Sequence, residues 1–268
     1  MKKWLLVFIL ATAFIACKSK KDAATAALDD ASMPADERKI RLEIIQYPDS
    51  MELKQNLIKY FVDNGNYGTA IAETDNLIRK DSTNGQLWYI KAMLLSRNQD
   101  TAKAITAWEQ VIRYDPRPEN LIALGTLYAF TKNPLAVTMS DILSGTPNNM
   151  ARSQALFIKG LYFSNIGDHV TAVAIFEECL KLDYNNLFAY REKAISLYEL
   201  GQYLEALKVL ELSINISKTN EENFYWAGRC FEKLNRKEEA IQNYEMALQL
   251  APDYIEAKDA LAKLGVKL

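Results

Sequence analysis

The sequence predicts an all-α fold, a solenoid of helical hairpins, because residues of one kind recur every 34 positions along the chain. Alanine recurs at this spacing or at its double, at Ala70, Ala104, Ala172, Ala206 and Ala240. A large apolar residue keeps a second register, at Trp88, Ile122, Leu156, Tyr190 and Phe224. Glycine keeps a third, at Gly65, Gly167 and Gly201. Between these markers the apolar residues follow helical spacing, so each copy predicts two helices.

The turns of the predicted hairpins are indicated by glycine, asparagine and proline. Asn133 and Asn235 take the glycine position in two further copies, where a left-handed backbone conformation would separate the two helices. Proline stops the second helix of a copy at Pro48, Pro116 and Pro252. Small residues in the first helix, such as Gly160 and Gly228, would let the paired helix axes approach closely.

This combination resembles the tetratricopeptide repeat, a helix-turn-helix unit with large, small, aromatic, glycine, alanine and proline residues at set positions. One copy fills nearly every position, through Phe224, Gly228, Phe231, Ala240, Tyr244, Ala247 and Pro252. The resemblance implies an α-solenoid, a right-handed superhelix of hairpins. Six repeat units are expected, at 51–84, 85–118, 119–152, 153–186, 187–220 and 221–254.

The unit 119–152 departs from the pattern. Leu124, Gly125 and Tyr128 fit the repeat one residue early, and Pro134 falls near the turn. We therefore expect a distorted hairpin in this unit.

Single helices are expected on both sides of the repeats. Segment 36–50 carries three isoleucines at helical spacing and is interpreted as an N-terminal half-repeat helix. Segment 255–268, in which Lys258 and Lys263 are expected to face solvent, is interpreted as a C-terminal capping helix.

The N terminus predicts export and lipid anchoring. Two lysines precede a largely apolar stretch of 13 residues that ends at Ala16, and this stretch is shorter than the roughly 20 residues of a membrane-spanning helix. The sequence FIAC ending at Cys17 resembles a lipobox, which implies a signal peptide at 1–16 and acyl chains such as palmitate on Cys17. The alternative is an ordinary signal peptide with an incidental cysteine. Residues 17–35 predict a flexible tether. Lys18 in place of aspartate favours an outer-membrane lipoprotein, and we expect the protein to face the periplasm.

Composition argues against nucleic-acid binding and against catalysis. The chain has 32 basic and 34 acidic residues and a net charge of −2, so nucleic acid is not an expected partner. Its single histidine, His169, is expected in a solvated turn, and no cluster has the spacing of metal ligands. We expect no enzyme activity, cofactor, metal or small-molecule substrate. Cys179 and Cys230 are interpreted as small buried hydrophobic residues.

The resemblance also implies a concave groove lined by the first helix of each hairpin. The groove positions carried onto this sequence are Gln55, Lys59, Tyr89, Met93, Phe157, Leu161, Arg191, Ile195, Tyr198, Tyr225 and Arg229. The Lys and Asn pattern with which some relatives clamp a terminal carboxylate is missing, so a helix or an extended apolar segment is the expected ligand. The alternative interpretation is that Tyr89, Phe157 and Tyr225 pack against neighbouring repeats.

These expectations favour a lipid-anchored scaffold that binds protein partners and assists assembly of a bacterial envelope complex. A regulatory or structural subunit of a secretion or gliding apparatus is the alternative. An enzyme with a repeat region attached would need a separate catalytic domain, and no stretch of sequence is left to form one.

Overall fold

The structure, a computed structural model, describes residues 32–267. The predicted signal peptide, Cys17 and most of the predicted tether lie outside these residues. Within 32–267 the chain forms fourteen α-helices and no strand, which confirms the predicted all-α fold. None of these helices is long and apolar enough to cross a membrane.

The helices group into two compact units, one that ends at Tyr114 and one that begins at Asp115. The first unit contains α1 (Ala35–Gln46), α2 (Met51–Asp63), α3 (Tyr67–Ile78), α4 (Gly85–Arg97) and α5 (Thr101–Tyr114). The second unit begins with α6 (Pro118–Phe130), α7 (Leu135–Ser144), α8 (Asn149–Ile166), α9 (His169–Leu182) and α10 (Leu187–Glu199). It continues with α11 (Tyr203–Ile216), α12 (Glu221–Lys233), α13 (Lys237–Leu250) and α14 (Ile255–Lys263).

Asparagine and aspartate side chains set where many of the helices begin. Asn84 caps α4 by accepting hydrogen bonds from the backbone N–H groups of Gln86 and Leu87. Asp168 caps α9 by accepting one from Thr171. Each cap supplies an acceptor to backbone donors that the first turn of a helix leaves without a partner. His169 therefore lies in the first turn of α9 and is half-buried, which corrects the prediction that it is a solvated turn residue.

Small residues hold the paired helices together in both units. Ala70, Ala104, Ala172 and Ala206, which keep the 34-residue spacing, are fully buried. At Gly228 of α12 an added Cβ would lie 2.6 Å from Cε1 of Tyr244, and at Gly160 of α8 it would lie 2.7 Å from Phe176. The first helix of these hairpins thus meets an aromatic ring of the second helix without room for a methyl group.

The turn of the irregular unit differs from the prediction by one residue. The left-handed conformation falls at Lys132, with φ of 58°, and not at Asn133. The backbone N–H of Asn133 closes the turn by donating to the carbonyl of Tyr128 at 2.8 Å, as Asn66 does to Phe61 at 2.8 Å. The same turn motif is therefore present, but it comes one residue earlier.

The helices of this irregular unit also differ in length from those of its neighbours. Its second helix, α7, has 10 residues, whereas the second helices of the other hairpins have 12 to 14. The next helix, α8, has 18 residues, because Asn148 caps it and the helix begins at Asn149, four residues before the predicted boundary at Ser153. As a result, α8 packs against α6 and α7 as well as against α9.

Both cysteines of the described part are buried and free, as predicted. The Cys179 thiol lies among Ser153, Asn186 and the apolar core of the α8–α9 hairpin. Burial raises the pKa of this thiol, and it raises the pKa of Cys230 to about 12. Both side chains behave as small apolar groups at neutral pH.

Candidate functional site

In the first unit the four predicted groove residues do not form one pocket. Gln55 and Lys59 of α2 are exposed, whereas Tyr89 and Met93 of α4 are half-buried. The ring of Tyr89 meets Trp108 edge-on, with the centroids 5.5 Å apart. Tyr89 therefore packs on an aromatic ring of its own hairpin, whereas the alternative interpretation placed it against a neighbouring repeat.

Lys59 lies at a separate cleft between α1 and α2. This cleft, of about 410 Å³, is lined by residues that include Asp36, Glu43 and Asp63. Its lining holds three acidic side chains and two lysines, so the positive charge of Lys59 is offset within the cleft.

In the second unit one predicted groove residue, Leu161, is buried. Its side chain is 2% exposed because α8 is covered by α6 and α7 on one side and by α9 on another. Leu161 is thus a core residue, and its prediction as a groove residue is wrong. Phe157 of the same helix is half-buried and packs on Phe176 and Phe188, with centroids 6.1 and 6.5 Å away.

The next helix, α10, contributes Arg191 and Ile195, and Arg191 is already engaged by acidic neighbours. Its guanidinium pairs with Glu192, Nη2 to Oε1 at 3.1 Å, and with Glu222 of α12. It also lies over the ring of Phe188, with Cζ 5.3 Å from the centroid. The charge of Arg191 is therefore balanced within the protein.

The last three predicted residues, Tyr198, Tyr225 and Arg229, come together at one cleft of about 490 Å³. The cleft is formed by α10, α12, α13 and α14. Its other lining residues are Glu232, Lys233, Tyr244, Glu256, Ala260 and Lys263. Tyr198 is only 7% exposed, which corrects the view of it as an open groove residue, but its hydroxyl group reaches Arg229.

Arg229 is held in this cleft by aromatic groups. Its Nη2 donates a hydrogen bond to the Tyr198 hydroxyl at 3.1 Å. Its Cζ lies 4.6 Å from the ring centroid of Tyr198 and 4.6 Å from that of Trp226. Each ring attracts the guanidinium through its negative face, at about 0.5–2 kcal/mol. Two aromatic rings and one hydroxyl group therefore fix the position of the charge.

Further aromatic rings form the wall beside Arg229. The ring of Tyr225 lies 5.9 Å from Trp226, 5.7 Å from Tyr244 and 5.2 Å from Tyr254, measured between centroids. Tyr244 is fully buried and its hydroxyl donates to the Glu232 carboxylate. Burial raises the pKa of Tyr225, Tyr244 and Tyr254. These phenols therefore stay protonated at neutral pH and remain hydrogen-bond donors.

Several residues of the cleft were not predicted from the sequence. Tyr244 comes from the second helix of its hairpin, and Glu256 and Lys263 come from the capping helix α14. Lys263 was expected only to face solvent. It lines the cleft because α14 packs beside α13. A capping helix that covers the last hairpin places some of its residues beside the first helix of that hairpin. The predicted cap could therefore have indicated that α14 contributes to the cleft.

Comparison with known families agrees with this architecture. The model described as "Tetratricopeptide repeat" matches residues 56–120. The model described as "Anaphase-promoting complex, cyclosome, subunit 3" matches residues 165–247. No curated protein sequence matches the chain.

Solved structures share the fold at low sequence identity. A tetratricopeptide repeat protein from Parabacteroides merdae has a TM-score of 0.69 and 16% identity, covering 86% of this chain and 91% of that one. PilW, a widely conserved type IV pilus biogenesis factor, has a TM-score of 0.62 and 17% identity, with coverages of 78% and 97%. PilF of Pseudomonas aeruginosa has a TM-score of 0.56 and 17% identity, with coverages of 78% and 96%.

These comparisons agree with the residue pattern and with the helical hairpins of both units. The buried alanines and the left-handed turns recur at the spacing that the repeat requires. The family-model matches, the residue pattern and the helical hairpins together support a tetratricopeptide repeat protein.

Proposed function

We propose that this protein is a lipid-anchored scaffold of the bacterial envelope that binds a segment of a partner protein in the cleft at Arg229. Tetratricopeptide repeats are protein–protein interaction folds and are typically not enzymes. Among residues 32–267, no group of His, Cys, Asp and Glu side chains could hold a metal ion. To this general role in protein binding we add a lipid anchor at Cys17, a location in the cell envelope and a binding site at Arg229.

The observation that carries the binding site is the convergence of Tyr225, Arg229 and Tyr198 on one cleft. Tyrosine, tryptophan and arginine are enriched among the residues that dominate the energetics of protein interfaces. Tyrosine and tryptophan bury a large area for few rotatable bonds, and arginine supplies five hydrogen-bond donors. Here their positions are fixed before a partner arrives, since Arg229 is held by two rings and Tyr225 by three. Preorganisation lowers the entropy cost of binding.

The binding site can be tested with a single substitution, Tyr225→Ala. Partners of the wild-type chain would first be identified by crosslinking in cells and mass spectrometry, and their recovery would then be compared between variants. We expect Tyr225→Ala to lose those partners while the helical content measured by circular dichroism is retained. The matched control is Tyr184→Ala, because Tyr184 is 67% exposed and lies in the turn before α10, outside the cleft. Unchanged recovery with Tyr225→Ala would rule out this cleft as the docking site.

The proposed anchor rests on the sequence around Cys17 and on the tether-like composition of residues 17–35. A diacylated and N-acylated cysteine would hold the chain at the membrane, at about 0.8 kcal/mol for each buried methylene. We expect Cys17→Ser to move the protein from the membrane fraction to the soluble fraction. Its persistence in the membrane fraction would argue against lipidation.

The proposed periplasmic side of the outer membrane can be tested separately. Protease added to intact cells should leave a periplasmic protein uncut, and it should cut the chain once the outer membrane is permeabilised. Digestion in intact cells would instead favour an outward-facing subunit of a secretion or gliding apparatus.

A further inference from the structure

The guanidinium of Arg229 has binding capacity that the protein does not use. Arginine carries five N–H donors, and the described contacts of Arg229 to oxygen consist of one bond from Nη2 to the Tyr198 hydroxyl. No carboxylate of residues 32–267 pairs with it. By contrast, Arg41 pairs with Glu37 and Glu73. Arg229 is thus a positioned cation that forms no ion pair within residues 32–267.

Arg191 gives a second contrast. It lies on α10, the first helix of the preceding repeat, and two carboxylates balance its charge. At Arg229 the acidic partners are replaced by the ring faces of Tyr198 and Trp226. Rings stabilise a cation but leave the outer edge of the guanidinium open to a bidentate partner.

The remaining charges of the cleft also favour an anion. Lys233 and Lys263 line the cleft with Arg229, and within residues 32–267 neither lysine takes part in an ion pair. The two carboxylates of the lining belong to Glu232 and Glu256, and Glu232 already accepts a hydrogen bond from Tyr244. Three cations therefore face two carboxylates, in a chain whose net charge is −2.

Neutral phenols complete a site for an oxyanion. Burial raises the pKa of Tyr225, so its hydroxyl is a donor over the physiological pH range. The aromatic wall also removes water from one side of the guanidinium, which strengthens a charge-assisted hydrogen bond relative to one in bulk water. Guanidinium, lysine and phenol donors in one cleft suit a planar carboxylate.

We propose that this cleft binds a carboxylate of the partner segment, with Arg229 as the residue that pairs with it. The carboxylate can belong to an Asp or Glu side chain or to a C terminus, since both present the same two oxygens. This inference rests on the proposed function, because it names the chemistry of the segment that docks there. It adds an acidic group to the helix or extended apolar segment expected from the sequence.

The test uses the full chain in detergent and a defined peptide library as the probe. The peptides have nine residues with amidated C termini; the central residue is Asp, Glu, Asn or Gln and the others are randomised. We expect the wild-type protein to retain Asp and Glu peptides about tenfold over their Asn and Gln counterparts, the factor that corresponds to about 1.4 kcal/mol. A second library with free C termini and neutral central residues distinguishes a C-terminal carboxylate from a side-chain one.

Three variants test whether the preference for a carboxylate depends on Arg229. Arg229→Gln should abolish the preference for the carboxylate, and Arg229→Lys should retain part of it, because lysine keeps the charge but lacks the planar fork. The matched control is Arg236→Gln, which removes an arginine that pairs with Glu239 outside the cleft. It should leave the preference unchanged. Thermal unfolding of each variant confirms that it is folded.

The outcomes separate this inference from the proposed function. Peptides retained without preference for a carboxylate in either library would overturn the carboxylate inference and leave the docking site standing. A preference that survives Arg229→Gln would overturn the assignment to Arg229. Retention of no peptide by the wild-type protein would also overturn the inference, while the crosslinking comparison of Tyr225→Ala decides on the docking site independently.

Discussion

The tight contact between α12 and α13 at Gly228 predicts the effect of a one-methyl substitution, Gly228→Ala. An added Cβ would lie 2.6 Å from Cε1, 2.7 Å from Cδ1 and 3.0 Å from Cζ of Tyr244. Carbon atoms normally approach to about 3.5–4.0 Å, so the ring or the helix would have to move. Tyr244 has little freedom to move because its side chain is fully buried and its hydroxyl is bonded to Glu232.

The expected magnitude is the difference between two opposing effects. Overpacking of a well-packed core costs about 1–3 kcal/mol, and the rigid ring places this site near the upper end. Alanine is favoured over glycine inside a helix by about 1 kcal/mol, which offsets part of that cost. We therefore expect Gly228→Ala to lower the free energy of unfolding by about 1–2 kcal/mol.

The matched control is Gly68→Ala in α3. No heavy atom lies within 4 Å of a Cβ added to Gly68, so only the gain in helix propensity remains. Urea unfolding followed by circular dichroism would measure both variants, and amide hydrogen exchange would locate the loss to α12 and α13. A variant Gly228→Ala as stable as the wild type, or more stable, would refute the packing argument. Repeating Gly228→Ala in a Tyr244→Leu background should reduce its cost, because the ring is gone.

Two further predictions follow from the buried thiols and from the shifted turn. In a Cys17→Ser chain, iodoacetamide at pH 8 should leave Cys179 and Cys230 unmodified until urea unfolds the protein. Burial and the raised pKa of both thiols suppress the reactive thiolate. Rapid labelling of the native chain, measured by mass spectrometry, would contradict this. Lys132→Gly should stabilise the protein by about 0.5–1 kcal/mol, since glycine adopts positive φ without strain, whereas Asn133→Gly should bring no gain. Equal urea midpoints for these two variants would contradict the position of the turn.

The hairpins could be predicted from the sequence because their markers act locally. An alanine that must fit under a neighbouring helix and a glycine that must take positive φ leave a trace at each repeat. The turn of the irregular unit was predicted one residue too late. Its displacement was already visible in Gly125 and Tyr128, which fit the repeat one residue early, and the same shift continues to Lys132.

The surface of the first helices was harder to predict, because exposure depends on which helices lie beside each position. Leu161 holds a groove position by register, but α8 is longer than its counterparts and is covered by α6 and α7. Tyr198 holds another such position, and it is buried against Tyr203 and Trp226. Register fixes the direction of a side chain, whereas neighbours from distant parts of the sequence fix its burial.

The cleft at Arg229 illustrates how recognition can be built on packing. Ile195 and Arg229 occupy the same position in successive repeats, so the repeat pattern does not require a charge there. The charge of Arg229 can be kept in the cleft because the rings of Tyr198 and Trp226 hold its guanidinium. These two rings also pack on each other, with their centroids 5.5 Å apart. The same rings belong to or pack against the core cluster that includes Ala194, Ala206 and Leu210. A substitution in that core would therefore move Arg229, so the stability of the last hairpins and the affinity for an acidic partner should change together.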